Sequence, residues 1–535
     1  MPYNIITTLA LSLLIALAFF LVYHHRNGGS QIRLICGPQR GSLLWGVDLA
    51  LLHNYIADID LFADWSDFWG NVYRIPTVLG GQRLVLLDPT AVSHIVHTHD
   101  RYQRPAGIRD MLHRLTGPGL LWAEGDVHRR QRRILAPAFT NQRLRNIYPV
   151  LLGCAEKVRT EWARSEKGEA AVDIDAHTWM SRLTLDSIGL SAFQYDFGSI
   201  TGLASRIANA VDAFAQLDQT PINVVAPLFL HIFPFIYRVP SARISMMLEL
   251  HASLRGAGAA IIENYKKSKD DPAYVGSARL ITSLANAQLE GNQMKSLSEL
   301  ELISTINTTI LAGYETTAVT LAWALYELSN NLACQSKLRA EIAVFQDDPT
   351  FEQMQHEMPY LEGVVREVVR LRPAFNDFAR VAACDDVIPL SAPIVTKDGR
   401  SIDSIVIKKG ENLVIPVRAL NRRKELWGSD ASDFRPNRWL EDCSHTRKLG
   451  GKLAADFSFS DGPRNCIGQG YAILAMKTAL FVLLRNYIVA PSLHDQAVDS
   501  FKGLLFRPRS VGEKDCHLYL TVSPVSEPSA LPALL

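Results

Sequence analysis

Apolar positions at the start of this 535-residue chain are continuous rather than periodic. Residues Ile5 to Tyr23 form a run without charge, which as a helix spans roughly 28 Å, about one bilayer core. Basic residues follow the run and only the terminal amine precedes it, so the positive-inside rule places the rest of the chain in the cytosol. We therefore expect a transmembrane anchor over residues 1–25. A cleaved signal peptide is the alternative, but its apolar region is usually shorter.

The spacing of apolar residues beyond the anchor predicts mostly helices with some strands. Val72 to Pro76 and Arg83 to Leu87, with two glycines between them, predict a hairpin. The stretch from Pro89 to about Asn331 is largely helical in its spacing. Short β-branched runs broken by Gly and Pro predict strands from Val381 to Ile415, and a last helix follows Cys466.

Composition suggests the boundaries of the domain. Gly, Ser and Pro over residues 26–45 predict a hinge that is first flexible and then stiff. No linker divides residues 46–522, so we expect a single catalytic domain there, closed by strands near Leu518 to Val522. The tail over residues 523–535 is rich in Ser, Pro and Ala, and we expect it to be disordered.

Two stretches inside this domain are unusual. Ser296 to Asn331 predicts a helix of about 35 residues, long enough to cross a whole domain, which starts at a Ser296-x-x-Glu299 capping box. Val224 to Ile236 is strongly apolar and carries two prolines. This second stretch is either a core segment or an apolar surface that dips into the membrane.

Charge and cysteine content exclude several classes of protein. The formal net charge is +1, so nucleic acid is not an expected partner. The seven cysteines are scattered and form no CxxC pair, which argues against a disulfide framework or a zinc ribbon. Most of them are expected to be buried, inert thiols in a reducing compartment.

The most specific motif is the segment from Phe459 to Gly468, FSDGPRNCIG. A thiolate that binds haem iron must be shielded from water and must receive backbone N–H bonds, which set its basicity. Glycines permit tight turns around Cys466, and the following helix directs its positive end toward the sulfur. Phe459 can cover the proximal haem face and Arg464 can meet a haem propionate. The alternative is an inert cysteine in a turn.

This segment meets every position of the pattern FxxGxRxCxG and resembles the haem-binding signature of the cytochrome P450 superfamily. Glu367-Val-Val-Arg370 is predicted to be helical with both side chains on one face, although a surface ion pair is the alternative. Phe434 to Trp439 resembles the family's FxPxRF segment, with Trp439 in place of Phe, a change that should preserve stacking. The resemblance implies a structural triad of Glu367, Arg370 and Arg438.

A second motif, Ala312-Gly-Tyr-Glu-Thr-Thr317, lies midway along the long predicted helix and resembles the family's oxygen-binding segment. A glycine within a helix costs roughly 1 kcal/mol against alanine, and close approach of a ligand at Gly313 is a candidate compensation. An acid and a hydroxyl are also costly to bury without partners. We expect Thr316 to hydrogen-bond near bound oxygen and Glu315 to relay protons. A kinked helix with a capped polar pair is the alternative.

Basic residues open another predicted helix at His128 to Arg133 (HRRQRR). The family usually has Trp-x-x-x-Arg here, with both residues on a haem propionate, so the resemblance gives these roles to His128 and Arg132. Arg380 matches the strand position whose arginine commonly meets the other propionate. The remaining basic residues, Arg129, Arg130 and Arg133, are expected to form partly a solvated face and partly a docking surface for an acidic redox partner.

The resemblance extends from about Gly37 to Val522. It implies a fold that is mainly α with a smaller β-rich lobe, haem b (iron protoporphyrin IX) as the cofactor, and a reaction in which one atom of O2 enters a substrate. No flavin or nicotinamide signature occurs in the chain, so a separate NADPH-cytochrome P450 reductase, optionally with cytochrome b5, should supply electrons. The expected location is the endoplasmic reticulum membrane, crossed once, with the catalytic domain in the cytosol.

The family's substrate-recognition segments predict a largely apolar pocket for a lipophilic substrate. The sequence resembles family members of fungal secondary metabolism, so a terpenoid is the preferred substrate. Polyketide, indole, fatty-acid and xenobiotic compounds are alternatives. Two other functions stay open: a haem-thiolate isomerase or dehydratase, which usually lacks the acid–threonine pair, and a non-catalytic haem sensor. The expected pocket residues are Phe375, Phe378, Leu504 and Leu505, with Asn307, Asn376 and Asp377 as polar groups.

Overall fold

The computed structural model describes twelve stretches of the chain. The predicted anchor over residues 1–25, the apolar segment Val224 to Ile236 and Cys443 lie outside them. Among the helices that are described, none combines the length and the apolar character needed to cross a membrane. The described residues are 30–42, 44–56, 59–165, 170–203, 206–217, 241–268, 280–289, 296–441, 457–492, 497–502, 505–513 and 515–525.

Helices dominate the described residues, as the apolar spacing predicts. They are α1 (Asp48–Ile56), α2 (Leu61–Trp69), α3 (Pro89–His97), α4 (Ala106–Thr116), α5 (Gly125–Leu135), α6 (Asn141–Ser165), α7 (Ala176–Phe193), α8 (Arg206–Leu217), α9 (Ala242–Ser268), α10 (Leu280–Leu289), α11 (Glu299–Asn330), α12 (Leu332–Ile342), α13 (Phe351–His356), α14 (Pro359–Leu371), α15 (Val417–Asn421), α16 (Lys424–Trp427) and α17 (Gln469–Asn486).

The strands include the predicted hairpin and the predicted group before Ile415. They are β1 (Val72–Pro76), β2 (Gln82–Leu86), β3 (Tyr102–Gln103), β4 (Val172–Asp175), β5 (Phe378–Ala382), β6 (Asp386–Val395), β7 (Ser401–Ile407), β8 (Asn412–Ile415), β9 (Tyr487–Pro491), β10 (Val498–Lys502), β11 (Phe506–Ser510) and β12 (Tyr519–Pro524).

The described residues form two compact units. The first comprises residues up to Tyr55, Ile59–Pro105 and Asp377–Leu420. It is rich in strands, with a five-stranded sheet in the order β1-β2-β8-β5-β3 and a separate β6-β7 hairpin. Within the sheet, β2 and β8 run parallel and the other neighbours run antiparallel.

The second unit is mainly helical and comprises Ala106–Asn376 and the residues from Asn421 onward, with Ile56 and the two residues after it. Its strands form the antiparallel sheet β4-β12-β9 and the antiparallel hairpin β10-β11. The single domain predicted over residues 46–522 therefore corresponds to two units, with the strands of the smaller β-rich lobe concentrated in the first. No linker marks the division because the chain passes between the units more than once.

Two predicted boundaries need correction. The hinge over residues 26–45 is packed from Ser30 onward: Ile32 and Ile35 are buried, and Arg74 N donates to Cys36 O at 3.0 Å. These apolar side chains stabilise the segment, so Gly and Pro content alone gives a misleading prediction. The tail predicted from residue 523 begins later, since β12 continues to Pro524 in the ladder with β9.

Helix α11 forms the centre of the helical unit. Most of its residues are buried on all sides, as expected of a helix that is apolar around its whole circumference. It packs most extensively against α7, and also against α9, α14 and α17. The predicted capping box is displaced by two residues, because Ser298 and Glu301 form it: Ser298 Oγ accepts from Glu301 N at 3.2 Å, and Glu301 Oε2 accepts from Ser298 N at 3.0 Å.

Candidate active site

Cys466 lies in a loop between a one-turn 3-10 helix, Gly462–Arg464, and the start of α17. Its N–H donates to Phe459 O at 2.8 Å, which closes the loop on itself. Gly462 has a φ of +66°, in the left-handed region that favours glycine, so the turn requires this residue. The Cys466 side chain is exposed, and two residues separate it from Gln469, the first residue at the positive N-terminal end of α17.

Two predicted propionate ligands attach this loop to the segment that leads into α5. Arg132 Nη1 donates to Asn465 O at 2.7 Å, and Nη2 donates to Asn465 Oδ1. Arg464 forms an ion pair with Glu124 and donates through Nη1 to Ala123 O at 3.2 Å. Burial lowers the pKa of Arg132, and the charge of the Cys466 sulfur acts in the opposite direction. The structure therefore brings both arginines to the cysteine loop.

The middle of α11 has one accessible face in an otherwise buried helix. Thr309, Ala312 and Thr316 are partly exposed, whereas Ile310, Leu311 and Tyr314 are buried. Spacings of three and four place the accessible residues on a single side of the helix. Thr316 Oγ1 donates to Ala312 O at 2.7 Å, which orients the hydroxyl on that side.

These features fit a haem with a thiolate ligand. The donor set contains one exposed cysteine sulfur, held in a closed loop, and two arginines beside it. The accessible face belongs to α11, which packs against the helix that follows the cysteine. Phe459 is partly buried and packs against the apolar core, and its place at the proximal haem face stays a prediction.

A close contact between two helices explains why a glycine occupies position 313. A Cβ atom at this position would lie 2.8 Å from Cδ1 and Cγ1 of Ile188, on α7. The close approach that the glycine permits is therefore the packing of α7 on α11, which is the largest helix contact in this unit. Its place in cofactor binding stays a prediction.

Glu315 is buried beside Thr316 and pairs with an arginine that sequence reasoning missed. Arg507 Nε and Nη2 both donate to Glu315 Oε1, at 2.9 and 2.8 Å. Arg507 lies 192 residues further along the chain, in β11. The only sequence signal is a charged residue two positions after the predicted pocket residue Leu505.

Glu367, Arg370 and Arg438 come together as the resemblance implies. Arg370 Nε donates to Glu367 Oε2 at 2.9 Å, and Arg438 Nε donates to Glu367 Oε1 at 3.0 Å. All three side chains are buried. Trp439 does more than preserve stacking, because its indole N–H donates to Glu367 Oε2 at 2.9 Å.

Two further propionate candidates, His128 and Arg380, lie on other elements. His128 is buried on α5. Arg380 lies in β5 of the first unit, where Nη1 donates to Ala379 O at 2.9 Å and the guanidinium lies 5.6 Å from the centre of the Phe378 ring. Their roles toward a propionate stay predictions.

Arg130 does not belong to a solvated or partner-docking face. It is partly buried, forms an ion pair with Glu301, and donates to Ser296 O at 2.5 Å, so it joins α5 to the start of α11. Arg129, in contrast, pairs with exposed Asp126 within its own helix, and Arg133 is exposed. A run of arginines on one helix thus divides between interior and surface, which the run alone does not reveal.

The predicted polar pocket residue Asn307 points elsewhere. It is buried, and its amide N donates to Leu254 O of α9 at 2.9 Å and to Ile303 O at 3.2 Å. Asn376 and Leu505 are also buried, and Phe375 is about half exposed. Phe378 and Asp377 belong to the first unit, and Leu504 lies outside the described residues.

Comparisons with known proteins agree with this geometry. The family model described as Cytochrome P450 matches residues 59–512. Cytochrome P450 monooxygenase claW of Ampulloclitocybe clavipes is 35% identical over 521 residues, which cover 95% of this chain and 95% of the relative. Cytochrome P450 monooxygenase 205 of Postia placenta (strain ATCC 44394 / Madison 698-R) is 33% identical over 517 residues, or 92% of this chain and 93% of the relative.

Proposed function

The chain belongs to the cytochrome P450 family and is a haem-containing monooxygenase, and from this premise we propose that it oxidises a lipophilic substrate at the endoplasmic reticulum membrane. The proposed haem site rests on the structure of the Cys466 loop. It is closed by a backbone hydrogen bond and held by Arg132 and Arg464, while its sulfur stays exposed.

Cys466 Sγ would hold the iron of the haem. When bound, the haem supplies reductive activation of O2 and transfer of one oxygen atom to the substrate. Arg132 and Arg464 place positive charge beside the loop, where they can also meet the propionates. Anchoring of the loop fixes the position of the sulfur before the cofactor binds, which limits the reorganisation needed at that moment.

Thr316 and Glu315 are the proposed catalytic side chains. Thr316 presents its hydroxyl on the accessible face of α11, where it can donate a hydrogen bond and hold a proton at Oγ1. Glu315 is buried one residue earlier and can pass a proton toward that hydroxyl.

The proposal extends to the substrate, the electron donor and the cellular location. The relatives named above come from the fungi Ampulloclitocybe clavipes and Postia placenta, which supports a fungal enzyme. Secondary metabolism is its proposed role, and a terpenoid is the preferred substrate class. Electrons come from a separate NADPH-dependent diflavin reductase. The apolar run at Ile5 to Tyr23 supports a single membrane anchor with the catalytic residues in the cytosol.

The ligand is tested by Cys466→Ser, with Cys384→Ser as the matched control. Cys384 is also an exposed free cysteine among the described residues, but it lies in the first unit. We expect Cys466→Ser to lose the red-shifted carbon monoxide difference band of the reduced protein, and Cys384→Ser to keep it. A normal band in the Cys466 variant would refute the ligand assignment.

The substrate class is tested by product analysis. Full-length protein, co-expressed with a fungal NADPH-dependent reductase in yeast membranes, is supplied with terpenoid, polyketide and fatty-acid panels. Product formation that requires NADPH and reductase, and is highest for terpenoids, supports the proposal. Turnover confined to another panel would reject the terpenoid class and leave the family assignment intact.

A further inference from the structure

The buried guanidinium of Arg507 forms ion pairs with two carboxylates. Its Nε and Nη2 donate to Glu315 Oε1, and its Nη1 donates to Asp212 Oδ1 at 2.8 Å. The side chain of Arg507 is fully buried and that of Glu315 is 2% exposed, whereas that of Asp212 is 52% exposed. Because a guanidinium does not lose its proton in proteins, it is a fixed charge and not a proton carrier.

The hydrogen bonds at Glu315 are unevenly distributed. Both donors from Arg507 reach Oε1, whereas Oε2 is buried and has no hydrogen-bond partner in the described part of the chain. A buried carboxylate oxygen without a donor is energetically costly, so a proton or a water molecule at this atom would be stabilising. Oε2 is therefore the atom of Glu315 that is available to hold a proton.

The other titratable groups around Arg507 are held neutral or are themselves paired. Burial lowers the pKa of His177, on α7, and the charge of Arg507 lowers it further. Burial raises the pKa of Cys516 to about 12 and raises that of Tyr314 well above its usual value. Asp175, on β4, is paired with His517 at 2.8 Å. Asp212 is thus the solvent-exposed charge that acts directly on Arg507.

We propose that Arg507 and Asp212 are positioning residues for Glu315. Arg507 holds the carboxylate on α11, and Asp212, on α8, offsets part of the positive charge that Glu315 experiences. When Asp212 leaves Arg507, the full charge acts on Glu315, which then takes up a proton less readily. The inference rests on the proposed role of Glu315 in proton supply and adds a link from α8 to that step.

The test is the pH profile of coupling, measured as product formed per NADPH consumed. For each variant, the midpoint is the pH at which coupling has fallen to half of its maximum. Asp212→Asn should move the midpoint of this fall to lower pH, by roughly half a unit, and Arg507→Gln should move it to higher pH. A merely structural role would lower the yield of haem-loaded protein in both variants without moving the midpoints in opposite directions.

A double variant shows whether Asp212 acts through Arg507. In the Arg507→Gln background, Asp212→Asn should cause no further shift, because the charge that links the two carboxylates is absent. If Arg507→Gln does not fold with haem, Arg507→Met, which is also uncharged, replaces it in the same cycle. Additive shifts in the cycle would overturn the proposal.

A readout independent of turnover is hydrogen–deuterium exchange of the full-length holoenzyme. Loss of the Asp212–Arg507 contact should increase exchange in peptides from α8 and leave α12 unchanged. Asp499→Asn is the matched control, since Asp499 pairs with Arg509 on the same β10-β11 hairpin at 2.7 Å. It should leave both α8 exchange and the coupling midpoint at parental values, and a midpoint shift equal to that of Asp212→Asn would reject a specific role for Asp212.

Failure of this inference is distinguishable from failure of the proposed function. If Glu315→Gln keeps parental coupling at all pH values, Glu315 does not supply protons and the proposed catalytic role fails. If Glu315→Gln uncouples the enzyme but Asp212→Asn leaves the midpoint and α8 exchange unchanged, only the positioning role of Asp212 and Arg507 is refuted.

Discussion

Glu367 shows how much one buried residue can organise. Among the described residues its carboxylate accepts five hydrogen bonds: two from Arg370, one from Arg438, one from Trp439 and one from the backbone N–H of Arg435. A buried charge is tolerated only when such donors surround it, and removal of one partner of a buried ion pair typically costs about 3–5 kcal/mol. The triad is therefore a structural centre, and its role does not depend on the cofactor.

Trp439→Phe tests the extra bond that this chain adds to the triad. Phe is the family's usual residue here, and the substitution keeps an aromatic ring while removing the N–H that donates to Glu367. We expect the free energy of unfolding to fall by about 1.5–3 kcal/mol, the value of a hydrogen bond to a charged group. Chemical denaturation followed by circular dichroism measures it, and an unchanged midpoint would show that the bond contributes nothing.

Thr316→Ala tests the hydroxyl on the accessible face of α11. Without it, we expect less product to form for each NADPH consumed. Peroxide release should rise several-fold, while haem content is retained. Thr320→Ala is the matched control, because Thr320 is a buried threonine one turn further along the helix whose hydroxyl donates to Thr316 O at 2.9 Å. Equal peroxide release from both variants would contradict a specific role for Thr316.

At the scale of elements, close helix packing explains residues that look functional in the sequence. Gly313 lies within an oxygen-binding motif, yet its missing side chain makes room for Ile188 of α7. Similarly, Arg130 stands in a basic run but ties α5 to the first turn of α11 through Glu301. The motif identifies the helix correctly, whereas the partner of each side chain depends on which helix lies opposite.

Gly313→Ala and Gly256→Ala should change stability in opposite directions. Both glycines lie within long helices, where alanine is favoured by about 1 kcal/mol. A Cβ at Gly256 meets no atom within 4 Å, so we expect that variant to gain up to about this amount. At Gly313 the new methyl group meets Ile188, and overpacking should cost about 1–3 kcal/mol, enough to cancel or reverse the gain.

Thermal unfolding of the two variants and of Gly313→Ala/Ile188→Val measures this difference. Ile188→Val removes Cδ1, one of the two atoms that lie 2.8 Å from the new Cβ, and keeps Cγ1, so it should restore only part of the stability lost in Gly313→Ala. If Gly313→Ala alone is as stabilising as Gly256→Ala, the close packing of α7 on α11 is not the reason for the glycine.

At the scale of the whole molecule, the sequence predicts contiguous motifs well and distant pairings poorly. The helix around Glu367, the hairpin at β1 and β2, and the loop of Cys466 each depend on residues a few positions apart. Arg507 and Glu315 are separated by 192 positions, and nothing local in either segment specifies the other. The division into two units escaped prediction for the same reason, since Asp377–Leu420 joins residues more than 270 positions earlier in the chain.

Acid stability in the first unit depends on another distant pairing, at Asp386. Its carboxylate accepts hydrogen bonds from Arg101, Tyr102 and His94, at 2.6, 2.8 and 2.9 Å. Burial acts to raise the pKa of Asp386, but these donors outweigh it and hold the pKa at about 2. Because the folded-state pKa is depressed, the contribution is present above the unfolded value near 4 and is lost as pH falls toward 2.

Asp386→Asn should therefore destabilise the protein at pH 7 and have a smaller effect near pH 3, where the parent has begun to lose the same interaction. Asp385→Asn is the matched control, because Asp385 is the preceding residue and forms an exposed ion pair with Lys408, which contributes little. Thermal midpoints of the parent and both variants at the two pH values measure the effect. A loss of stability that is equal at both pH values would mean that Asp386 contributes through packing and not through its charge.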